Sequence, residues 1–136
     1  MNNENKSIPP LNKIILVEDE PDIQTVAKMA LEAMGKFTVQ VFASGSQVIQ
    51  QADSLSADLI MLDVMMPDMD GISVLEKLRT IPHAAKIPVI FMTSKVSPPE
   101  IITYKNYGAI GVIAKPFDPM SLADTVRKIW RESYGG

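Results

Sequence analysis

Short apolar runs alternate along the chain with segments whose apolar residues recur at helical spacing, the pattern of a parallel sheet with crossover helices on both faces. Ile14-Ile15-Leu16-Val17, Leu59-Ile60-Met61-Leu62 and the run from Val89 to Met92 are continuously apolar, as central strands covered on both sides should be. Phe37, Val39 and Val41 alternate instead with Thr38 and Gln40, so this second strand belongs at an edge. Ile110-Gly111-Val112-Ile113-Ala114 completes five strand and helix pairs. Right-handed crossovers favour the order 2-1-3-4-5, an α/β doubly wound five-stranded parallel sheet with five helices.

The first helix should begin at Pro21, bury a stripe of Ile23, Val26, Ala27, Ala30, Leu31 and Met34, and close at Gly35. Ser44 with Gln47, and Ser97 with Glu100, read as capping boxes for the second and fourth helices; Pro98 reinforces the fourth, which stops near Gly108. The third helix runs from about Asp70 to Arg79, with Ile72, Leu75 and Leu78 inward and Pro82 as its stop. Asp118-Pro119 starts the fifth. Residues 1–12 are polar with Pro9-Pro10 and read as a disordered lead-in, residues 13–132 as the folded domain and residues 133–136 as a tail.

Composition narrows the classes. With 136 residues, 46% hydrophobic and 21% charged, one domain with a sizeable core is expected. The absence of cysteine excludes disulfides and thiolate metal sites, and Met1 through Ser7 lacks the apolar core of a signal peptide, so the cytoplasm is the expected compartment. Apolar runs fall far short of the roughly 18 residues that span a bilayer, and a net charge of -3 gives no footprint for nucleic acid.

The chemistry gathers where strands end. The order 2-1-3-4-5 has its switch point between the first and third strands, where Glu18, Asp19 and Asp63 would meet. At ~4 Å and an effective dielectric of ~20, each like-charge contact costs about 4 kcal/mol before relaxation, so a cation should sit among them. A hard divalent ion with few direct carboxylates suits Mg²⁺, and no His or Cys cluster exists for zinc. Lys115 can reach a phosphate, Lys115-Pro116 is a candidate cis bond, and Thr93 can donate a hydroxyl hydrogen bond. Metal, lysine and hydroxyl around one carboxylate point to Asp63 as a phosphoryl acceptor. His83 reads as an exposed loop residue without a role, and the methionines at 61, 65, 66 and 69 as core filler and loop anchors. Arg127, Lys128 and Arg131 should offset the negative end of the fifth helix, and Trp130 should bury one ring face.

Ile15-Leu16-Val17-Glu18-Asp19-Glu20-Pro21, Leu62-Asp63 with Met66-Pro67-Asp68-Met69-Asp70-Gly71, Met92-Thr93-Ser94 and Ala114-Lys115-Pro116-Phe117 occur in order, and on these four segments the chain from about Lys13 to Trp130 resembles the flavodoxin-like receiver domain of bacterial response regulators. That family has the same strand order, so the order derived above is not independent of it. The resemblance implies two-component signal transduction, in which Asp63 takes a phosphoryl group from a phosphohistidine of a sensor histidine kinase or histidine phosphotransfer protein. It further implies Mg²⁺ bound by Asp19, Asp63 and the Met65 backbone carbonyl, with Glu18 acting through a water. Thr93 and the Ser94 amide would grip the phosphoryl oxygens, with Lys115 paired to them; the domain would catalyse only its own phosphotransfer and dephosphorylation.

By the same resemblance, a downstream protein target would dock on the fourth helix, fifth strand and fifth helix, and the kinase near the first helix, with the protein a monomer or a phosphorylation-dependent dimer. The end at Ser133-Tyr134-Gly135-Gly136 fits a free-standing regulator or a receiver cut from a longer protein. Two departures carry consequences. Glu18 replaces the commoner Asp, which a water-bridged role tolerates, and Val112 stands where many members carry a switching Tyr or Phe, leaving Thr93 and the following loop to transmit the change. Met65 and Lys95 vary in the family and should set the lifetime of the phosphoryl group. Two rivals are a pseudo-receiver serving as a phosphorylation-independent interaction module, and a hydrolase of the haloacid dehalogenase type, which wants an acid where Met65 stands.

Overall fold

The structure is a computed structural model and describes residues 8–135. The continuously apolar runs become β1 (Lys13–Val17), β3 (Leu59–Asp63) and β4 (Val89–Thr93), flanked by β2 (Thr38–Phe42) and β5 (Gly111–Ala114). All pairs are parallel, in the order β2-β1-β3-β4-β5. Every residue of β3 and β4 is buried, whereas the edge strand β2 alternates, as the sequence implied.

Crossovers on both faces create two cores. On one face α2 (Gly45–Gln50), α3 (Gly71–Arg79) and α4 (Pro98–Asn106) cover Ile15, Ile60, Leu62 and Phe91 with Val48, Val74, Leu75, Leu78 and Tyr104. On the other, α1 (Pro21–Gly35) and α5 (Leu122–Gly135) cover Ile14, Leu16, Met61 and Met92.

Several boundaries and faces differ from the sequence reading. The buried face of α1 is narrow, Ala27, Ala30, Leu31 and Gly35, while Val26 and Met34 are exposed. Gly35 is also not the closing residue: Lys36 takes the left-handed conformation (φ 61°), and Gly35 is needed for space, because a Cβ would press on the Phe37 ring at 2.5 Å. In α3 Val74 is fully buried, whereas Ile72 is only half-buried. The Ser44 box is half formed: Ser44 accepts from Gln47 N–H, but the Gln47 side chain accepts from Ala43 N–H rather than from Ser44. Gly108 follows α4 at φ 114°, which a side chain would disfavour.

Asp118-Pro119 forms a turn ahead of α5, with Met120 N–H donating to Asp118 Oδ1 (2.9 Å), and the helix begins at Leu122. Its last turns include Ser133 and Tyr134, so the expected tail is helix as far as Gly135. Residues 1–7 of the expected lead-in, and Gly136, lie outside the described residues. In the described part of the lead-in, Leu11 is buried and Pro9 O accepts from Trp130 Nε1 (2.8 Å), while residues 8–10 and 12 are exposed. Trp130 is therefore almost wholly buried, not covered on one face. Arg127 does not serve its own helix end; it donates to Gly35 O and lies 4.3 Å from the Phe37 ring centroid, closing α1.

Gly35→Ala separates propensity from packing. Alanine favours a helix by about 1 kcal/mol, but the new methyl has the Phe37 ring and the Ala123 Cβ in its way. A net loss of about 1–2 kcal/mol is expected in urea unfolding; a gain would show that Phe37 yields freely.

Candidate functional site

Four neighbouring strands deliver their last residues, or the residues just after, to one rim of the sheet. Asp63 ends β3 at 2% exposure, and Glu18, directly after β1, is fully buried. The β1–β3 register sets Val17 beside Leu62, so the acids that follow lie side by side. Asp19 is half-buried, and carboxylate oxygens of Glu18, Asp19 and Asp63 all lie within 4.8 Å of one another.

Lys115, carried past the end of β5 before a cis Lys115-Pro116 peptide, answers them with Nζ 2.9 Å from Glu18 Oε1 and 3.4 Å from Asp63 Oδ2. Thr93 ends β4 buried, its Oγ1 accepting from Lys95 N–H (3.1 Å), while Ser94 is exposed. Asp19, Glu20, Asp63, Met65, Thr93, Ser94 and Lys115 line one hollow of about 200 Å³.

Each loop is fixed by local contacts. Glu18 N–H donates to Phe42 O (3.1 Å), its carboxylate accepts from Glu20 N–H (3.1 Å), and its carbonyl accepts from Gln24 Nε2 (2.6 Å). After β3 the chain doubles back so tightly that Gly71 N–H reaches Val64 O (2.8 Å), and a Cβ at Gly71 would collide with Asp63 O and Val64 Cα. Met65 N–H donates to Asp63 Oδ1 (3.3 Å), and the Met65 side chain is 60% exposed at the mouth of the hollow.

The electrostatics are unbalanced. Three carboxylates against one ammonium leave two negative charges in a small space. Burial first, and then the Glu18 charge, push the Asp63 carboxyl up to about 6, against the opposing pull of Lys115 and the Met65 N–H. Burial works to lower Lys115, yet its hydrogen bond to Glu18 and the Asp63 and Glu18 charges outweigh it and hold the ammonium above its ordinary value. An all-oxygen set with excess negative charge fits a small hard cation.

The model of the response regulator receiver domain matches residues 14–127. The chain belongs to that family. The receiver is 38% identical over 121 residues to the probable transcriptional regulator ycf29 of Porphyra purpurea, an alignment covering 88% of this chain and 57% of the relative. It is 36% identical over 124 residues to the transcriptional regulatory protein CpxR of Escherichia coli (strain K12), covering 91% and 51%. The receiver thus spans about half the length of these curated relatives. Among solved structures it is similar to the chemotaxis response regulator CheY4 of Vibrio cholerae (TM-score 0.79, 28% identity, 88% of this chain and 99% of that one). It also resembles the receiver domain of the sensor histidine kinase PA1611 of Pseudomonas aeruginosa PAO1, described with magnesium in its active-site cleft (TM-score 0.75, 27% identity, 93% and 100%).

Glu18, Asp19, Asp63, Met65, Thr93, Ser94 and Lys115 lie together at this rim, whereas Lys95 is not among the residues that line the hollow. Glu20, which was not singled out, also lines the hollow, and its place beside two acids was the available signal. His83 is exposed in the loop before β4, where Nε2 lies 2.6 Å from Leu55 O, at the opposite end of the strands. Val112 is half-buried beside Phe91 in the neighbouring strand. No helix among the described residues is long and apolar enough to cross a membrane.

The raised Asp63 pKa makes a signed prediction for the metal-free protein. A carboxyl held at about 6 when folded and near its ordinary 3.8 when unfolded destabilises the fold above both values and is neutral below both. Asp63→Asn should therefore raise stability at pH 7.5, by at most about 3 kcal/mol, with the gain shrinking as pH falls from 6 to 4. Thermal melts across that range check it; an equal gain at pH 4 would refute the electrostatic origin.

Proposed function

We propose that the protein is a two-component response regulator, or the receiver part of one, in which Asp63 accepts a phosphoryl group in a Mg²⁺-dependent reaction and thereby switches partner binding. The supporting observation is the convergence of Asp63, Lys115 and Thr93 on one open hollow. The residues fit a metal held by Asp19, Asp63 and the Met65 carbonyl, with Glu18 acting through water. When bound there, Mg²⁺ supplies positive charge against the phosphoryl oxygens.

An Asp63 carboxylate oxygen attacks phosphorus of a phosphohistidine. The P–N bond breaks, imidazole leaves with the bonding electrons and takes a proton, and Asp63 becomes a mixed anhydride. Thr93 Oγ1 and the Ser94 N–H donate to the transferred oxygens, and Lys115, already held at Glu18 and Asp63, places its ammonium against the added charge. In the return reaction water attacks phosphorus, the anhydride O–P bond breaks, and phosphate and free Asp63 are regained.

The phosphodonor is a sensor histidine kinase or histidine phosphotransfer protein, engaged beside α1, where Val26 and Met29 are exposed. A downstream protein is engaged through α4, β5 and α5, where Ile102 and Tyr107 are exposed and a second hollow lies between Ile101, Lys105, Val112 and Ile129. The receiver is a monomer or a phosphorylation-dependent dimer and makes no nucleic-acid contact of its own, its net charge being -3.

Incubation with a small acyl phosphate and Mg²⁺ should add one phosphoryl mass on Asp63, absent in Asp63→Asn. No adduct would favour a pseudo-receiver, and continuous turnover a hydrolase. Met65 is exposed and lines the hollow, so its side chain would hinder an attacking water. Met65→Asn should shorten the lifetime of phospho-Asp63 several-fold in a phosphate-release assay; an unchanged lifetime would remove that role.

A further inference from the structure

The β3–α3 loop, residues 64–70, contributes Met65 to the lining of the hollow and is pinned at both ends. At its start Val64 N–H donates to Met92 O (3.0 Å) and Met65 N–H to Asp63 Oδ1 (3.3 Å). At its end Gly71 N–H returns to Val64 O, and Asp70 caps α3 by accepting from Ser73 N–H (2.9 Å). The tip, Pro67-Asp68, is exposed. It is held by Asp68, whose carboxylate accepts from both the Ser46 N–H (3.1 Å) and the Ser46 hydroxyl (2.8 Å) in α2. These hydrogen bonds keep Asp68 below the usual carboxylate range and hence ionised at neutral pH.

The two segments also touch beneath this contact. A Cβ at Gly45 would meet the Met69 Cβ at 3.1 Å and the Met69 carbonyl at 3.3 Å, so α2 and the loop lie in direct apposition. α2 follows β2, whose last residue, Phe42, accepts the Glu18 N–H. The contacts therefore close a ring around the acids: Glu18 to Phe42, along the chain to Ser46, across to Asp68, and back through Met65 to Asp63.

We propose that Asp68 is a positioning residue for the metal site, its bonds to Ser46 holding the loop so that Asp63 and the Met65 carbonyl are presented together. The inference rests on the reading above that Mg²⁺ binds between Asp19 and Asp63. Asp68 touches neither metal nor phosphate. It removes conformations of the loop that ion binding would otherwise have to remove, so its loss appears in affinity and not in chemistry.

Calorimetric titration of Mg²⁺, and phosphorylation rates by a small acyl phosphate against Mg²⁺ concentration, test this together. Asp68→Ala should raise half-saturating Mg²⁺ about three- to tenfold in both, the factor expected for lost charge-assisted hydrogen bonds of modest net strength, with the same maximal rate at saturation. Ser46→Ala, which keeps the Asp68 charge, should move half-saturation in the same direction, and the double variant should show less than the sum of the two. Amide exchange at residues 64–70 should quicken in metal-free Asp68→Ala while β3 and α3 are unchanged.

Unaltered half-saturation in Asp68→Ala would overturn the proposal, as would a lower maximal rate that Mg²⁺ does not restore. A shift in Asp68→Asn and Asp68→Ala, none in Ser46→Ala, and its disappearance in salt would make the effect one of charge alone and overturn it too. A wild type that neither binds Mg²⁺ nor takes phosphate would sink the parent reading before any variant is compared.

Discussion

The fold is organised around an unfavourable contact, two fully buried carboxylates, Glu18 and Asp63, on adjacent strands with a single ammonium between them. Buried like charges persist only when the surrounding structure over-determines their positions. Here parallel pairing of β1 with β3 does so, since neither Glu18 nor Asp63 can withdraw without disturbing strands that are apolar and buried on both faces. Lys115 arrives from the far edge of the sheet, so the ion pair requires all of β1, β3, β4 and β5 to be in place. The apolar cores on the two faces supply the stability that offsets this repulsion.

What was legible in the chain follows from which interactions are local. The strands announced themselves because a strand covered on both faces admits only apolar residues, and the polar residues at their ends broke those runs sharply. The strand order then brought Glu18, Asp19 and Asp63 together without a side-chain coordinate. Helix faces were harder to read. Val26 and Met34 extend a regular apolar pattern in α1 yet face solvent, since β1, β2 and α5 cover only the narrow strip around Ala27 and Leu31. Contacts across long sequence separations left no local mark. Arg127 on Gly35 and Phe37, Trp130 on Pro9, and Asp68 on Ser46 each join residues whose own neighbourhoods look ordinary.

Burial also decides where a change at Asp63 would travel. A phosphoryl group adds about -1.5 to -2 charges, and typical couplings are only ~1–3 kcal/mol, so it can move only elements that are weakly held. α1, α3 and α5 each bury four residues, whereas α4 buries only Tyr104. α4 is also the element reached directly from the site, because Thr93 at the end of β4 leads through Ser94, Lys95 and Val96 to the Ser97–Glu100 cap. With Val112 in place of a switching ring, the aromatic contact nearest this route is Tyr104 packed edge-on against Phe91, ring centroids 5.5 Å apart. Phe91 lies two residues before Thr93 on the same strand. Drawing Thr93 toward a phosphoryl oxygen would therefore act on α4 at both its cap and its one buried anchor, and a valine on β5 is no obstacle to that movement. The response would then be a redistribution between nearby positions of one helix, with the sheet and the other four helices left as they are.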